Sequence, residues 1–486
     1  MSQRKQHIVH SANGNGGELR LPECAPLDVN TNYHSIVGGM QWPPLLGKRG
    51  SALLAMQYQF KQSERWPLET IRKHQFRQLE GLLRFANATV PYYRKRFAAA
   101  GFNAAAPLYE ESWASIPLLM RHDIQRADND FLSTTVPETH RPTPAISTSG
   151  SSGTPVTIHT TRVAQFFIRA LTLRDNLWHN LDFSQKYAAI RLPKDEKDAV
   201  YPDGNLTKNW GISVQPVFET GPAALLNIMT PVHQQAEWLQ RQKPAYLLTY
   251  PSNLMELLHH CKENAIRIPE LRMVMTLGEV LHPDIRVACR QIWGMAIIDM
   301  YSSQEVGYMA LQCPEHEHYH VQCENVLLEV LDEEGVPCQP GETGRIVVTA
   351  LHNFATPLIR YSLGDYAMVG EPCACGRTLP VLTRVMGRVR NMMTLPSGGK
   401  VWPYFGANRF GGVAPVRQYQ LVQKTLTELE LRVVPQRPLT ADDEAKMRAV
   451  IFDALGEEFQ LSFSYHDEIP RGPGAKYEDF KSELPR

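Results

Sequence analysis

At 486 residues the chain is too long for one ordinary hydrophobic core, so two or three domains are expected. Fifty Lys and Arg balance fifty Asp and Glu, with 43% apolar residues, which suits a globular protein and argues against binding to nucleic acid or an anionic membrane. No run approaches the ~18 apolar residues of a membrane span. The opening MSQRKQHIVHSANGNGGELR lacks the apolar heart of a signal peptide. Eight cysteines in so long a chain do not make a disulfide framework, and a cytoplasmic protein with reduced thiols is expected.

Residues 1–64, rich in Asn, Gly and Pro and weakly periodic, are expected to form an N-terminal extension, either packed on the body or partly disordered. From WPLETIRKHQFRQLEGLLRFA (66–86) apolar positions recur at helical spacing, and a large domain is expected from 65 to 387. Further amphipathic helices are predicted over 162–181 and 252–266. Between and after them the short apolar runs YAAIRL, AYLLTY, RMVMTLG and AIIDMYSS suit buried strands, so the body is α/β. Residues 321–361 are expected to be mostly strand. Beyond Arg388 the pattern spells β-β-α-β, a small α+β domain expected over 388–486 with its joint near Gly387–Asn391.

One loop poses the functional question. In STSGSSGTPVTIHTT (147–161), small and polar residues are flanked by strand-like PAIS and VTIHTT, which suits a tight loop between strands better than a slack linker. Gly150 and Gly153 permit the positive φ values that turn successive N–H groups inward, and Thr148, Ser149, Ser151, Ser152 and Thr154 add hydroxyl donors. No Gly-Lys-Ser/Thr follows, so it is not a Walker loop. Taken alone it is either a phosphate cradle or a structural turn.

The loop TSGSSGTPV resembles the phosphate loop of the adenylate-forming ligases, the superfamily of acyl-CoA synthetases, peptide-synthetase adenylation domains and luciferases. Five more stretches resemble that family's motifs in its order: LGEVL (277–281), MYSSQEVG (300–307), IRYSLGD (359–365), the hinge GRVRNMM (387–393) and the tail PRGPGAKYEDF (470–480), with Ala475 in place of a Gly. LLTYPSNL, RYSLGD and CACGRTLP resemble the phenylacetate–CoA ligase branch. The resemblance covers residue 65 onward. It implies a large adenylate-forming domain of sheets and helices with a small C-terminal α+β lid.

A carboxylate resists nucleophilic attack until its oxygen becomes a leaving group, which joining it to the α-phosphate of ATP achieves. The resemblance implies roles in that chemistry, chiefly positioning and charge stabilisation. Residues Thr148, Ser149, Gly150, Ser151, Ser152, Gly153 and Thr154 would hold the leaving phosphates. Glu305 would ligate Mg²⁺, Asp365 the ribose hydroxyls, and Lys476 would stabilise charge between carboxylate and α-phosphate. Tyr301 and Gly278 would flank adenine, with Glu279 and Ser302 beside the nucleotide. Arg360 and Arg388 suit either nucleotide contacts or structural ion pairs. Each of these residues, met alone, is a solvated turn or surface residue; the ordered set carries the reading.

The implied acid is aromatic or heteroaromatic, its pocket lined by the segment 201–219 and the strand around Tyr250, with Tyr201, Asp203, Tyr250 and Pro251 named. The family base rate makes CoA the acceptor. Family hinges usually carry an acidic residue where this chain has Arg390 and Asn391, which leaves an amine acceptor open. A nucleotide-binding protein without catalysis is the alternative of another class, opposed by the presence of Lys476 and Glu305.

QCPEHEHYHVQC (312–323) and EPCACGR (371–377) place Cys and His in two loops, a donor set for tetrahedral zinc. Cys313, His320, Cys373 and Cys375 are the expected structural Zn²⁺ ligands, against a reading of surface histidines and buried thiols.

Overall fold

The computed structural model describes residues 32–148, 156–195, 197–388, 392–403, 413–472 and 477–484, to which every structural statement below refers. A twelve-stranded sheet dominates. Its antiparallel half runs, in spatial order, Val326–Leu331, Thr343–Ala350, Tyr361–Val369, Val381–Arg388, Tyr319–Val321 and Gly307–Gln312. The order continues with Ile297–Ser303, Met273–Leu277, Tyr246–Thr249, Tyr187–Arg191 and Ala223–Asn227, five strands in parallel, and closes on Asn205–Thr207. The four apolar runs singled out in the sequence are four of the five parallel strands. Continuous apolarity is what a strand covered on both faces requires.

Helices cover the sheet. In Leu68–Thr89 the buried residues Ile71, Leu79, Leu82, Leu83 and Ala86 form one stripe, as the periodicity implied. The helix Arg162–Trp178 starts where Thr161 Oγ1 accepts the Ala164 N–H at 3.1 Å.

Of the two alternatives for the N-terminal extension, residues 48–63 take the packed one. They form the helix Lys48–Ser63, whose Leu53 and Phe60 are each 2% exposed in the core shared with Leu171, Phe183 and Met275. Arg174, itself buried, fixes the helix end. Its guanidinium lies 4.7 Å from the Phe60 ring centre and pairs with Glu64 at 3.1 Å and Glu324 at 3.0 Å.

The C-terminal part is a four-stranded sheet in the order Gln460–Tyr465, Glu428–Pro435, Val416–Gln423, Phe480–Ser482, packed with the helix Ala441–Leu455. The β-β-α-β order is as expected from sequence. The strand Phe480–Ser482 is additional: it pairs in parallel with 421–423 and buries Phe480.

Candidate active site

Open parallel sheets bind ligands beyond the carboxyl ends of their strands, where the strand order reverses. Here the chain steps from Tyr187–Arg191 outward to Ala223–Asn227, then back across to Tyr246–Thr249. Arg191, Tyr250, Gly278, Tyr301 and Ser302 stand at or just beyond four of these strand ends and line one cavity of about 1060 Å³. Ile146 and Ser147 reach the same cavity from the hairpin Ala145–Thr148/Val156–His159. That hairpin frames the expected phosphate loop; Ser149, Gly150, Ser151, Ser152, Gly153 and Thr154, with the side chain of Thr148, lie outside the described residues.

Asp365 and Arg388 are register partners on adjacent strands. Arg388 Nε lies 3.4 Å from Asp365 Oδ1, and Tyr301 Oη donates to Asp365 Oδ2 at 2.8 Å. Burial, reinforced by the Asp365 charge, raises the Tyr301 hydroxyl well above its usual range, so it stays a donor. An ionised carboxylate offers about four lone-pair sites, so Asp365 retains capacity for ligand hydroxyls. Glu305 sits in the turn between Ile297–Ser303 and Gly307–Gln312, its side chain 8% exposed, with Arg121 Nη1 at 3.7 Å. Arg121 had no role assigned from sequence. It belongs to a helix 184 positions upstream of Glu305 (305 − 121), and only the fold connects them.

Gly278 takes φ +80°, which disfavours a side chain where the strand opens into the cavity. At the joint, Gly387 takes φ +85° and a Cβ there would meet Val280 Cγ2 at 2.7 Å, so the backbone can lie against 277–281 only as glycine.

Four expected site residues are placed otherwise. Arg360 does not line the cavity: it is 5% exposed, pairs with Glu329 at 3.0 Å and donates to the carbonyls of Ala114 and Ile116 at 2.6 and 2.8 Å. Its role is the structural ion pair. Tyr201 and Asp203 also lie off the cavity. Tyr201 stacks under the Arg241 guanidinium at 5.2 Å, and the Asp203 carbonyl accepts from Trp238 Nε1 at 3.1 Å. Within 201–219 only Asn205 reaches the cavity wall, whereas Tyr250 and Pro251 both line it. Glu279 touches the cavity, but its two oxygens accept the backbone N–H groups of Ser252 and Tyr477 at 2.9 and 2.8 Å, an inter-part contact where a nucleotide contact was expected. Lys476, Arg390 and Asn391 lie outside the described residues. Tyr477 and Glu478, next along the chain, line the cavity from the C-terminal part.

Away from the cavity the two Cys/His loops meet. Donor atoms of Cys313, His318, His320 and Cys373 all lie within 4.8 Å of one another. Cys313 Sγ is 3.9 Å from Cys373 Sγ, and Cys375 Sγ is 3.4 Å from His320 Nε2. The four expected residues are thus together, joined by His318, whose buried Nε2 has no hydrogen-bond partner among the described residues. Burial holds His320 down at about 4 and lowers His318 too, keeping both imidazoles neutral, the form that ligates. Tetrahedral thiolate ligands on zinc lie about 3.8 Å apart, so this donor set fits the ion. Cys323 is buried elsewhere, its carbonyl accepting from Gln75.

Comparison with known proteins agrees with this geometry. The AMP-binding enzyme family model matches residues 221–355, and the CapK C-terminal domain model matches 393–483. The phenylacetate-coenzyme A ligase of Thermus thermophilus is 26% identical over 404 residues, covering 79% of this chain and 85% of that protein. The Escherichia coli phenylacetate-coenzyme A ligase is 24% identical, covering 69% and 76%. The chain thus carries an AMP-binding enzyme domain and a CapK C-terminal domain, and it is similar to the phenylacetate–CoA ligases. The ligase shares its fold with 2-hydroxyisobutyryl-CoA ligase in the postadenylation state, at TM-score 0.69 and 18% identity over 87% of this chain and 92% of that one. Against the same protein in the thioesterification state, over the same shares, the ligase scores 0.57. No helix among the described residues is long and apolar enough to cross a membrane.

Proposed function

We propose that this ligase joins an aromatic carboxylic acid to AMP and then passes the acyl group to the thiol of CoA. The observation that carries the reading is the convergence of Tyr301, Asp365, Arg388 and Glu305 on one cavity at the parallel strand ends, lined also by Tyr477 and Glu478 of the C-terminal part. The relatives' name, phenylacetate-coenzyme A ligase, supports the aromatic acid and the CoA acceptor. In this reading Asp365, oriented by Tyr301 and Arg388, holds the ribose hydroxyls. Residues 148–154 would hold the leaving phosphates, and Arg121, beside Glu305, would add positive charge there. Glu305 would offer a hard oxygen ligand to Mg²⁺, which would screen phosphate charge when bound. Lys476 stabilises the charge moving from carboxylate to α-phosphate. Tyr250, Pro251 and Leu192 form the apolar wall toward the acid.

The chain divides, in this reading, into a large domain from about residue 48 to 387 and a small domain from 388, with the Cys313/His318/His320/Cys373/Cys375 cluster as a structural zinc site in the former. The test is a panel of carboxylic acids with ATP, offered CoA and amines in parallel, with products identified by mass spectrometry. A thioester is expected, and Lys476→Ala is expected to abolish acid-dependent ATP–pyrophosphate exchange. An amide product would overturn the acceptor; absence of AMP release with every acid would favour a nucleotide-binding protein without catalysis.

A further inference from the structure

Glu279 stands where the two parts of the ligase meet. Its Oε2 accepts the Ser252 N–H at 2.9 Å and its Oε1 accepts the Tyr477 N–H at 2.8 Å. Arg471 crosses the same joint. Its Nη1 donates to Ser252 Oγ at 2.8 Å and lies 3.8 Å from Glu279 Oε1, while Nη2 is 3.4 Å from Glu256 Oε1. The side chains of Glu279 and Arg471 are only 8% and 12% exposed, so these charge-assisted bonds are poorly screened. Gln418 Nε2 to Glu256 Oε1 at 3.1 Å and His282 Nε2 to Asp479 Oδ2 at 3.4 Å extend the contact on either side.

Arg471 and Tyr477 bracket Lys476 in the chain, and the N–H that Glu279 accepts belongs to the peptide bond joining Lys476 to Tyr477. A carboxylate gripping that peptide therefore acts on the placement of the lysine without touching nucleotide.

We infer that Glu279 is a positioning residue for adenylation: with Arg471 it clasps the chain at described residues on both sides of Lys476. This rests on the two-step reading above. Ser252 and Glu256 lie at the start of the helix Pro251–Glu263, and Glu279 follows the strand Met273–Leu277, so the holder is rigid framework.

Hydrogen exchange at the Tyr477 amide tests the clasp without any substrate. Glu279→Ala is expected to raise that rate at least about tenfold over the wild type with global melting unchanged, and an unchanged rate overturns the clasp. The second arm measures both half-reactions with phenylacetate as the probe acid. Glu279→Ala is expected to cut kcat for pyrophosphate exchange about tenfold or more, with KM for ATP within about twofold. Transfer from separately supplied phenylacetyl-adenylate to CoA should stay within about twofold of wild type. Arg471→Ala should act in the same direction, and the pair should be non-additive. A raised KM for ATP at unchanged kcat would make Glu279 a nucleotide contact, and equal loss in both half-reactions would make it merely structural. Wild type inert toward phenylacetate and every other acid would instead overturn the proposed function, and the clasp would lose its adenylation role while exchange still decides its existence.

Discussion

Tyr301 Oη donates to Asp365 Oδ2 at 2.8 Å while Arg388 Nε holds the other oxygen at 3.4 Å. Two strands far apart in sequence thereby fix one carboxylate at the cavity wall. Removing the carboxylate should weaken ATP use far more than removing the residue that orients it. Asp365→Ala is expected to lower kcat/KM for ATP about a hundredfold and Tyr301→Phe about five- to tenfold. Steady-state AMP release at varied ATP measures both. Equal, small effects would remove Asp365 from nucleotide binding.

Arg360 gives the opposite expectation. It sits in the same motif as Asp365, five positions away, yet its guanidinium is buried against Glu329 and the carbonyls of Ala114 and Ile116. Burial raises the Glu329 carboxyl, and Arg360 opposes that rise. Arg360→Ala would leave Glu329 buried and unpaired, a loss of about 3–5 kcal/mol. Denaturant titration should show that loss, while KM for ATP of the remaining folded enzyme stays unchanged. A raised KM with undiminished stability would return Arg360 to the nucleotide.

The same contrast explains what could be read from the chain. The parallel strands were legible because strands buried on both faces have continuous apolar runs, and the cavity residues follow those runs. The helix Lys48–Ser63 was not, since its apolar face is thin and its anchor is the Arg174 cation over Phe60. The strand Phe480–Ser482 is three residues long, too short for any periodicity. Tyr201 and Asp203 were misplaced because a loop's direction leaves no mark in composition. Glu279 and Arg121 were half legible: their types suggested charge at the site, but the partners Tyr477 and Glu305 come from distant segments.

The Cys/His cluster predicts bound metal. Among the described residues, His318 Nε2 lacks a partner and the Cys313 and Cys373 sulfurs are already 3.9 Å apart. Purified protein is expected to contain about one zinc per chain, and Cys373→Ser to reduce it. The site lies off the cavity, so the variant should melt at least about 5 °C lower while adenylation at low temperature stays within about twofold. Metal-free wild type of full stability would exclude the site.

Buried Asp175 and His179 set the pH response of stability. They lie 3.6 Å apart beneath the sheet, and Asp175 Oδ1 and His179 Nε2 have no hydrogen-bond partner among the described residues. Burial, then repulsion from Asp299, pushes the Asp175 carboxyl up to about 7, and burial brings His179 down to about 3. Between those values both are neutral, so the contact is not an ion pair at mildly acidic pH. For Asp175 the folded value exceeds the unfolded value of about 3.9, so its contribution is intact below that pH and is lost as pH rises through 7. For His179 the folded value lies below the unfolded value of about 6.5, so its contribution is intact above that pH and is lost as pH falls toward 3. Melting curves from pH 4 to 9 should therefore show Asp175→Asn gaining on the wild type from about pH 4 to 7 and levelling off above, because the amide removes the charge that burial penalises. A gap between the two that stays constant with pH would mean that Asp175 is already ionised throughout.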